Sequence, residues 1–149
     1  MNLYEIIDQE IKSAMLAKDK VRLETLRSAK TAFMEETTSK GSTHKLSKDQ
    51  AVAILQRMVK QRKDSATIFE EQNRSELAQK ELQEVEILQA YLPKPYTQDE
   101  LETAIGEIIV QTGSSSLKDM GKVMGAATQE LGGRAEGRVI ADTVRKLLS

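Results

Sequence analysis

Apolar residues recur three and four positions apart along almost the whole of this chain, and its only two prolines fall together at Pro93 and Pro95. That spacing places the apolar side chains on one face of successive helices, because a helix repeats every 3.6 residues. Period-two alternation, the mark of a strand, is scarce, while Ala, Leu, Glu, Lys and Gln, all good helix formers, abound. With aromatics at 3% and no Trp, the core has to be built from Leu, Ile, Val, Ala and Met. The fold class predicted is all-α: a bundle of about four longer helices over residues 1–96, then a compact three-helix module over 97–149.

The runs follow in order. Leu3, Ile6, Ile7, Ile11 and Met15 predict a helix over residues 3–17, and Lys18-Asp19-Lys20 a turn. Val21, Leu23, Leu26, Ala29, Ala32 and Phe33 carry the next helix to about Glu36. Residues 37–46 are polar, contain Gly41 and read as a loop. Ser47 with Gln50 forms a capping box for a helix with the stripe Ala51, Ile54, Leu55, Met58, Val59, Ile68 and Phe69, flanked by exposed Arg57, Lys60, Arg62 and Lys63. Ser75 is a candidate cap for a helix facing inward through Leu77, Leu82, Val85, Leu88, Tyr91 and Leu92. Pro93-Lys94-Pro95 stops it, since proline removes an amide donor and disfavours helix just before it.

Thr97 to Glu100 is a second capping box, opening a helix with Leu101, Ala104, Ile105, Ile108 and Ile109 inside and Gly113 as its stop. Ser116 with Asp119 caps the following helix, whose apolar face is Leu117, Met120, Val123, Met124 and Ala127. Gly132-Gly133 ends it, and Val139, Ile140, Val144, Leu147 and Leu148 form the inner face of a terminal helix.

Several function classes drop out. Without cysteine there is no disulfide, thiolate metal site or cysteine nucleophile. The single histidine, His44, lies in the polar loop, so no transition-metal site or cofactor is expected. Gly113-Ser114-Ser115-Ser116 superficially resembles an amidase serine loop, yet the serines precede a helix, where capping explains them. Glu35-Glu36, Glu70-Glu71 and Glu84/Glu86 fit solvated helix faces. No phosphate-binding or dinucleotide fingerprint occurs. No catalytic residue is identified and the chain is not expected to be an enzyme by itself. With no signal-peptide pattern and no apolar run of spanning length, a cytoplasmic protein is expected.

The net charge is −1, and the halves differ little: residues 1–96 carry +1 and 97–149 carry −2. Any nucleic-acid face must therefore be a local patch. One stretch offers it. In Lys118-Asp-Met-Gly-Lys-Val-Met-Gly, Gly121 and Gly125 occupy one helix face and Lys118 and Lys122 its neighbour. A helix glycine costs roughly 1 kcal/mol against alanine, so something requires the bare backbone. Close packing of another helix is the ordinary explanation and the one favoured on residues alone; close approach of a phosphate backbone is the functional one, needing only cations and amide donors. The hinge Gly132 to Arg138 adds Arg134 and Arg138 at the amino end of the last helix, where an anion is favoured.

Tyr91-Leu-Pro-Lys, the Lys118–Gly125 motif and Gly133-Arg-Ala-Glu-Gly-Arg-Val together resemble the YqeY family (GatB/YqeY-domain proteins), as do the length and the Asp8…Lys18-Asp19-Lys20 opening. The resemblance implies an amino-terminal helical module and a smaller module similar to the tail of GatB, a subunit of the glutamine-dependent amidotransferase acting on mischarged tRNA. It thereby implies a tRNA- or RNA-contacting role for residues 97–149 and a link to translation or tRNA charging. Lys118, Lys122, Arg134 and Arg138 are the matching phosphate-contact candidates beside Gly121 and Gly125, and Arg145 is a weaker one. Glu136 departs from the Asp usual in the family, and its longer side chain caps a helix less well. Amidotransferase chemistry does not carry over, because the tail holds neither the ATP site nor the glutaminase. The alternatives are a protein-interaction adaptor, or a substrate-gripping subunit of a carbon–nitrogen ligase using glutamine as amide donor.

Overall fold

The computed structural model describes residues 1–39 and 46–149. Gly41, His44 and most of the expected polar loop lie outside the described residues. The described chain is all-α and forms two compact units, Met1–Leu92 and Pro93–Ser149.

The first unit contains α1 (Leu3–Ala17), α2 (Lys20–Ser39), α3 (Lys48–Glu71) and α4 (Ser75–Gln89). Asn2 caps α1 through Glu5 N–H (2.8 Å), and the Asp19 carboxylate accepts Arg22 N–H (3.1 Å) at the start of α2. The Ser47–Gln50 capping box is complete. Ile7, Ile11, Leu26, Ala29, Phe33, Leu55, Val59 and Leu88 anchor the core. Helix α2 runs three residues beyond the expected Glu36. Thr37, Thr38 and Ser39 remain helical, their hydroxyls donating to carbonyls one turn back at Met34, Glu35 and Glu36.

Other inward expectations are corrected. Ile68 is 52% exposed and Ala66 continues the α3 stripe instead, because Ile68 lies nine residues, about two and a half turns, past Val59. Met15, Leu77 and Leu82 are also exposed; in α4 the two leucines flank the buried Ala78 and Val85. Ser75 is the first residue of α4 and not its cap: Arg74 holds the cap position and makes no side-chain capping bond. Asn73 takes the left-handed conformation (φ 59) between α3 and α4, a conformation asparagine tolerates.

Arg62 and Glu84, expected on solvated faces, are both largely covered. Arg62 Nε lies 3.8 Å from Glu84 Oε2, and its Nη1 donates to Met58 O at 3.3 Å. Glu84 Oε1 is also 3.5 Å from the hydroxyl of fully buried Thr25. Arg22 hydrogen-bonds the Tyr91 hydroxyl (2.6 Å) and pairs with Glu10 (3.5 Å), which joins the end of α4 to α1 and α2. Burial raises the Tyr91 pKa against the opposing charge of Arg22.

The second unit contains α5 (Gln98–Thr112), a single 3-10 turn (Leu117–Asp119), α6 (Met120–Leu131) and α7 (Gly137–Leu148). Each of its three α-helices packs on the other two around Leu101, Ile105, Ile108, Val123, Ala127, Leu131, Ile140, Val144 and Leu148. The Thr97–Glu100 capping box is complete. Those hydrogen bonds from Thr97 hold the Glu100 pKa down, with smaller help from Arg134 and Lys94. Gly113 stops α5 in the left-handed conformation (φ 66) and its N–H returns to Ile109 and Val110 carbonyls. Leu117 (51%), Val139 (38%) and Leu147 (37%) are more exposed than their spacing predicts. No helix among the described residues is long and apolar enough to cross a membrane.

Glu81 gives a test of the first unit. Desolvation, then the neighbouring charge of Glu84, raises its pKa against the pull of Arg62 and Lys80. An acid whose pKa rises on folding destabilises the fold when ionised, so the unit gains stability as pH falls through the folded-state value. Glu81→Gln is expected to raise Tm at pH 7, and the gain should vanish below the unfolded carboxylate pKa of about 4.3; thermal unfolding followed by circular dichroism across pH measures it.

Candidate nucleic-acid interface

Helix α6 is amphipathic in a way that fixes its outer face. Val123, Ala127 and Leu131 are buried, Met120 and Met124 pack at the edges of the core, and Gly121, Lys122, Gly125, Thr128 and Gln129 are exposed. Gly121 and Gly125 are one turn apart, with Lys122 between them and Lys118 one turn earlier in the 3-10 segment.

The packing explanation for the glycines fails. A Cβ built on either Gly121 or Gly125 meets nothing within 4 Å, so no helix of this unit needs them bare. Both have negative φ, so backbone conformation does not demand glycine either. Gly132 is different: a Cβ there would stand 2.5 Å from the Thr128 carbonyl oxygen, so glycine is required where the chain leaves α6.

The expected caps also change. Ser116 makes no side-chain capping bond; instead the Asp119 carboxylate accepts Ser115 N–H at 3.0 Å. The Ser114 hydroxyl lies 2.8 Å from that of Thr112. Of the three serines, Ser114 thus engages its hydroxyl and Ser115 its backbone N–H, while Ser116 does not cap through its side chain. Glu136 precedes α7 with extended backbone (φ −70, ψ 144) and its side chain does not cap, so the first amides of α7 receive no side-chain cap from it.

The proposed cations fall into distinct positions. Lys118 and Lys122 lie at the start of α6, while Arg134 and Arg138 follow its end. Helix α6 has 12 residues and so spans about 18 Å; the two pairs occupy opposite ends of it and do not converge on one point. Lys118, Lys122 and Arg138 are exposed and make no ion pair with another described residue. Arg145 pairs with Asp142 at 3.3 Å, and Lys146 with Glu102. The Glu102 pKa is lowered and the Lys146 pKa raised, each chiefly by their shared hydrogen bond.

Arg134 is half-buried and engaged. Its guanidinium carbon lies 3.8 Å from the centroid of the Tyr96 ring, its Nε donates to Lys94 O at 2.7 Å, and its carbonyl accepts Tyr96 N–H at 2.9 Å. Lys94 and Tyr96 are not among the site residues expected from sequence; the signal available is the run Lys94-Pro95-Tyr96 directly before the Thr97 cap. Among the described residues no cluster of three or more His, Asp or Glu is placed to hold a metal ion.

A sequence profile described as Yqey-like protein matches residues 4–148. The chain belongs to the YqeY family. Its curated relatives include three proteins called "Altered inheritance of mitochondria protein 41, mitochondrial". The one from Vanderwaltozyma polyspora is 33% identical over 86 residues, 58% of this chain and 46% of that protein. The Clavispora lusitaniae protein is 36% identical over 94 residues, 61% and 52% of the two chains. The Kluyveromyces lactis protein is 35% identical over 86 residues, 57% and 45%. The matched part thus spans about half the length of these relatives, and their names locate those proteins, not this one, in mitochondria.

Within this YqeY-family chain the glycines yield a direct stability test. Because open space surrounds both positions, Gly121→Ala and Gly125→Ala should each stabilise the second unit, by up to about 1 kcal/mol. Urea unfolding measures the change, and a loss of stability would reveal a packing role after all.

Proposed function

We propose that this protein is an RNA-binding accessory factor, with tRNA as its RNA, and that residues 97–149 make the contact. The observation that carries the reading is the outer face of α6: two exposed glycines that packing does not explain, beside two lysines without an ion-pair partner among the described residues. A bare helical backbone lets a sugar-phosphate chain come close, and lysines supply the counter-charge. Gly121, Gly125, Lys118 and Lys122 form the first contact. Arg138, in the first turn of α7, adds a cation where the helix dipole also favours an anion. The resemblance of this module to the GatB tail supports tRNA over other RNAs and points to translation or tRNA-dependent amidation. The role is grip; the amide-forming chemistry of a carbon–nitrogen ligase belongs to other subunits.

The adaptor reading receives less support. The large exposed apolar residues of the first unit's helices are Met15, Leu16, Met34, Ile68, Leu77 and Leu82, spread over all four helices, and singly exposed apolar residues are ordinary on a protein surface.

The test is tRNA binding across a salt series. Each phosphate contact contributes about 0.7 to 0.9 to the slope of log affinity against log salt. Lys118→Ala/Lys122→Ala/Arg138→Ala is expected to weaken binding and flatten that slope by about 2 to 3, with unfolding unchanged. Equal affinity and slope in the wild type and the triple variant would remove these cations from the interface.

A further inference from the structure

Arg134 sits among the candidate phosphate ligands by charge, yet its bonding differs from that of every other cation in the unit. Three contacts tie it to the segment that enters α5: the stack on Tyr96 (3.8 Å), the Nε bond to Lys94 O (2.7 Å) and the Tyr96 N–H bond to Arg134 O (2.9 Å). Its own N–H donates to Leu131 O at 2.9 Å, joining it to the last turn of α6. The residue after Tyr96 is Thr97, the cap of α5. Two residues after Arg134 comes Glu136, where α7 begins without a side-chain cap. Arg134 therefore ties the entry to α5 to the end of α6 through its side chain, its N–H and its carbonyl, two residues before Glu136 and the start of α7.

We infer that Arg134 is a positioning residue and not a phosphate ligand: with Tyr96 it clasps residues 94–96 to the turn between α6 and α7, thereby holding the open amino end of α7 and placing exposed Lys94 beside it as a further phosphate-contact cation. The guanidinium suits this work because it is planar, stacks on an aromatic face, and directs an N–H from Nε at the same time. A lysine keeps the charge but supplies neither the plane nor that donor. Glu100 stands close enough for the charges of Arg134 and Lys94 to act on its carboxylate, so part of the Arg134 field is already answered within the unit. The clasp itself stands on this geometry; the role of Lys94 and the effect on RNA rest on the function proposed above.

The experiment uses the full chain with Arg134→Lys, Arg134→Ala, Tyr96→Leu and Lys94→Ala. Amide hydrogen exchange without RNA reads the clasp: Arg134→Lys, Arg134→Ala and Tyr96→Leu should each speed exchange at the Tyr96 amide on the order of ten-fold while the core amides of α5 stay protected. Wild-type exchange in Arg134→Lys would overturn the clasp. The tRNA salt series then separates positioning from contact. Positioning predicts that Arg134→Lys and Arg134→Ala weaken binding equally and flatten the slope by no more than Lys94→Ala does, because the contact they lose is that of Lys94. Affinity preserved by Arg134→Lys and lost by Arg134→Ala would identify a phosphate ligand and overturn the inference. If the wild type binds no tRNA, the functional proposal and the Lys94 role fall together, and hydrogen exchange alone decides the clasp.

Discussion

Burial of Val123, Ala127 and Leu131 against α5 and α7 sets the direction in which α6 faces. Once that stripe is committed to the core, helical periodicity leaves Gly121, Lys122 and Gly125 on the outside. The same event determines the value of the glycines. On the inner face they would have explained a close helix crossing; on the outer face their helix-propensity cost has no internal compensation. In the proposed RNA-binding reading, that uncompensated cost is offset by the close approach of another molecule's backbone.

Charge follows a related logic. The unit Pro93–Ser149 carries seven Lys/Arg against eight Asp/Glu, a net charge of −1, so its net charge does not draw a polyanion to it. Its cations are sorted by position. Arg145 and Lys146 pair with Asp142 and Glu102, and Arg134 is occupied by Tyr96 and Lys94. Lys118 and Lys122 remain in solvent beside the bare backbone of α6, and Arg138 remains in solvent at the start of α7, whose cap residue makes no side-chain bond. In the RNA-binding reading proposed above, such cations act at short range, within a Debye length of roughly 8 Å at physiological salt, and predict modest, salt-sensitive affinity in place of long-range steering.

Much of this architecture was legible in the sequence, and the exceptions share a cause. Both capping boxes, Ser47–Gln50 and Thr97–Glu100, and the Gly113 stop are local chemistry and are present. Apolar spacing located each helix, but it gives a face without telling how far the partner reaches. Ile68, Leu77 and Leu82 illustrate this, since they stay exposed beside a buried Ala66, Ala78 and Val85. The Arg62–Glu84 pair could not be seen because its members lie 22 positions apart and meet only when α3 packs on α4. The same holds for Arg134 with Lys94, 40 positions apart. At the candidate site the residues were legible and their roles were not: spacing put the glycines on one helical face, while only the fold tells which neighbour that face has.

The most direct test of the account is a nuclear magnetic resonance titration of the isotope-labelled full chain with tRNA, following each backbone amide. An RNA face on α6 and the start of α7 predicts that the Gly121, Lys122, Gly125, Gly137 and Arg138 amides shift together at low salt and recover at high salt, while those of α1–α4 stay in place. Shifts concentrated in residues 1–92, with the α6 glycines unmoved, would contradict it and place the binding surface on the other unit.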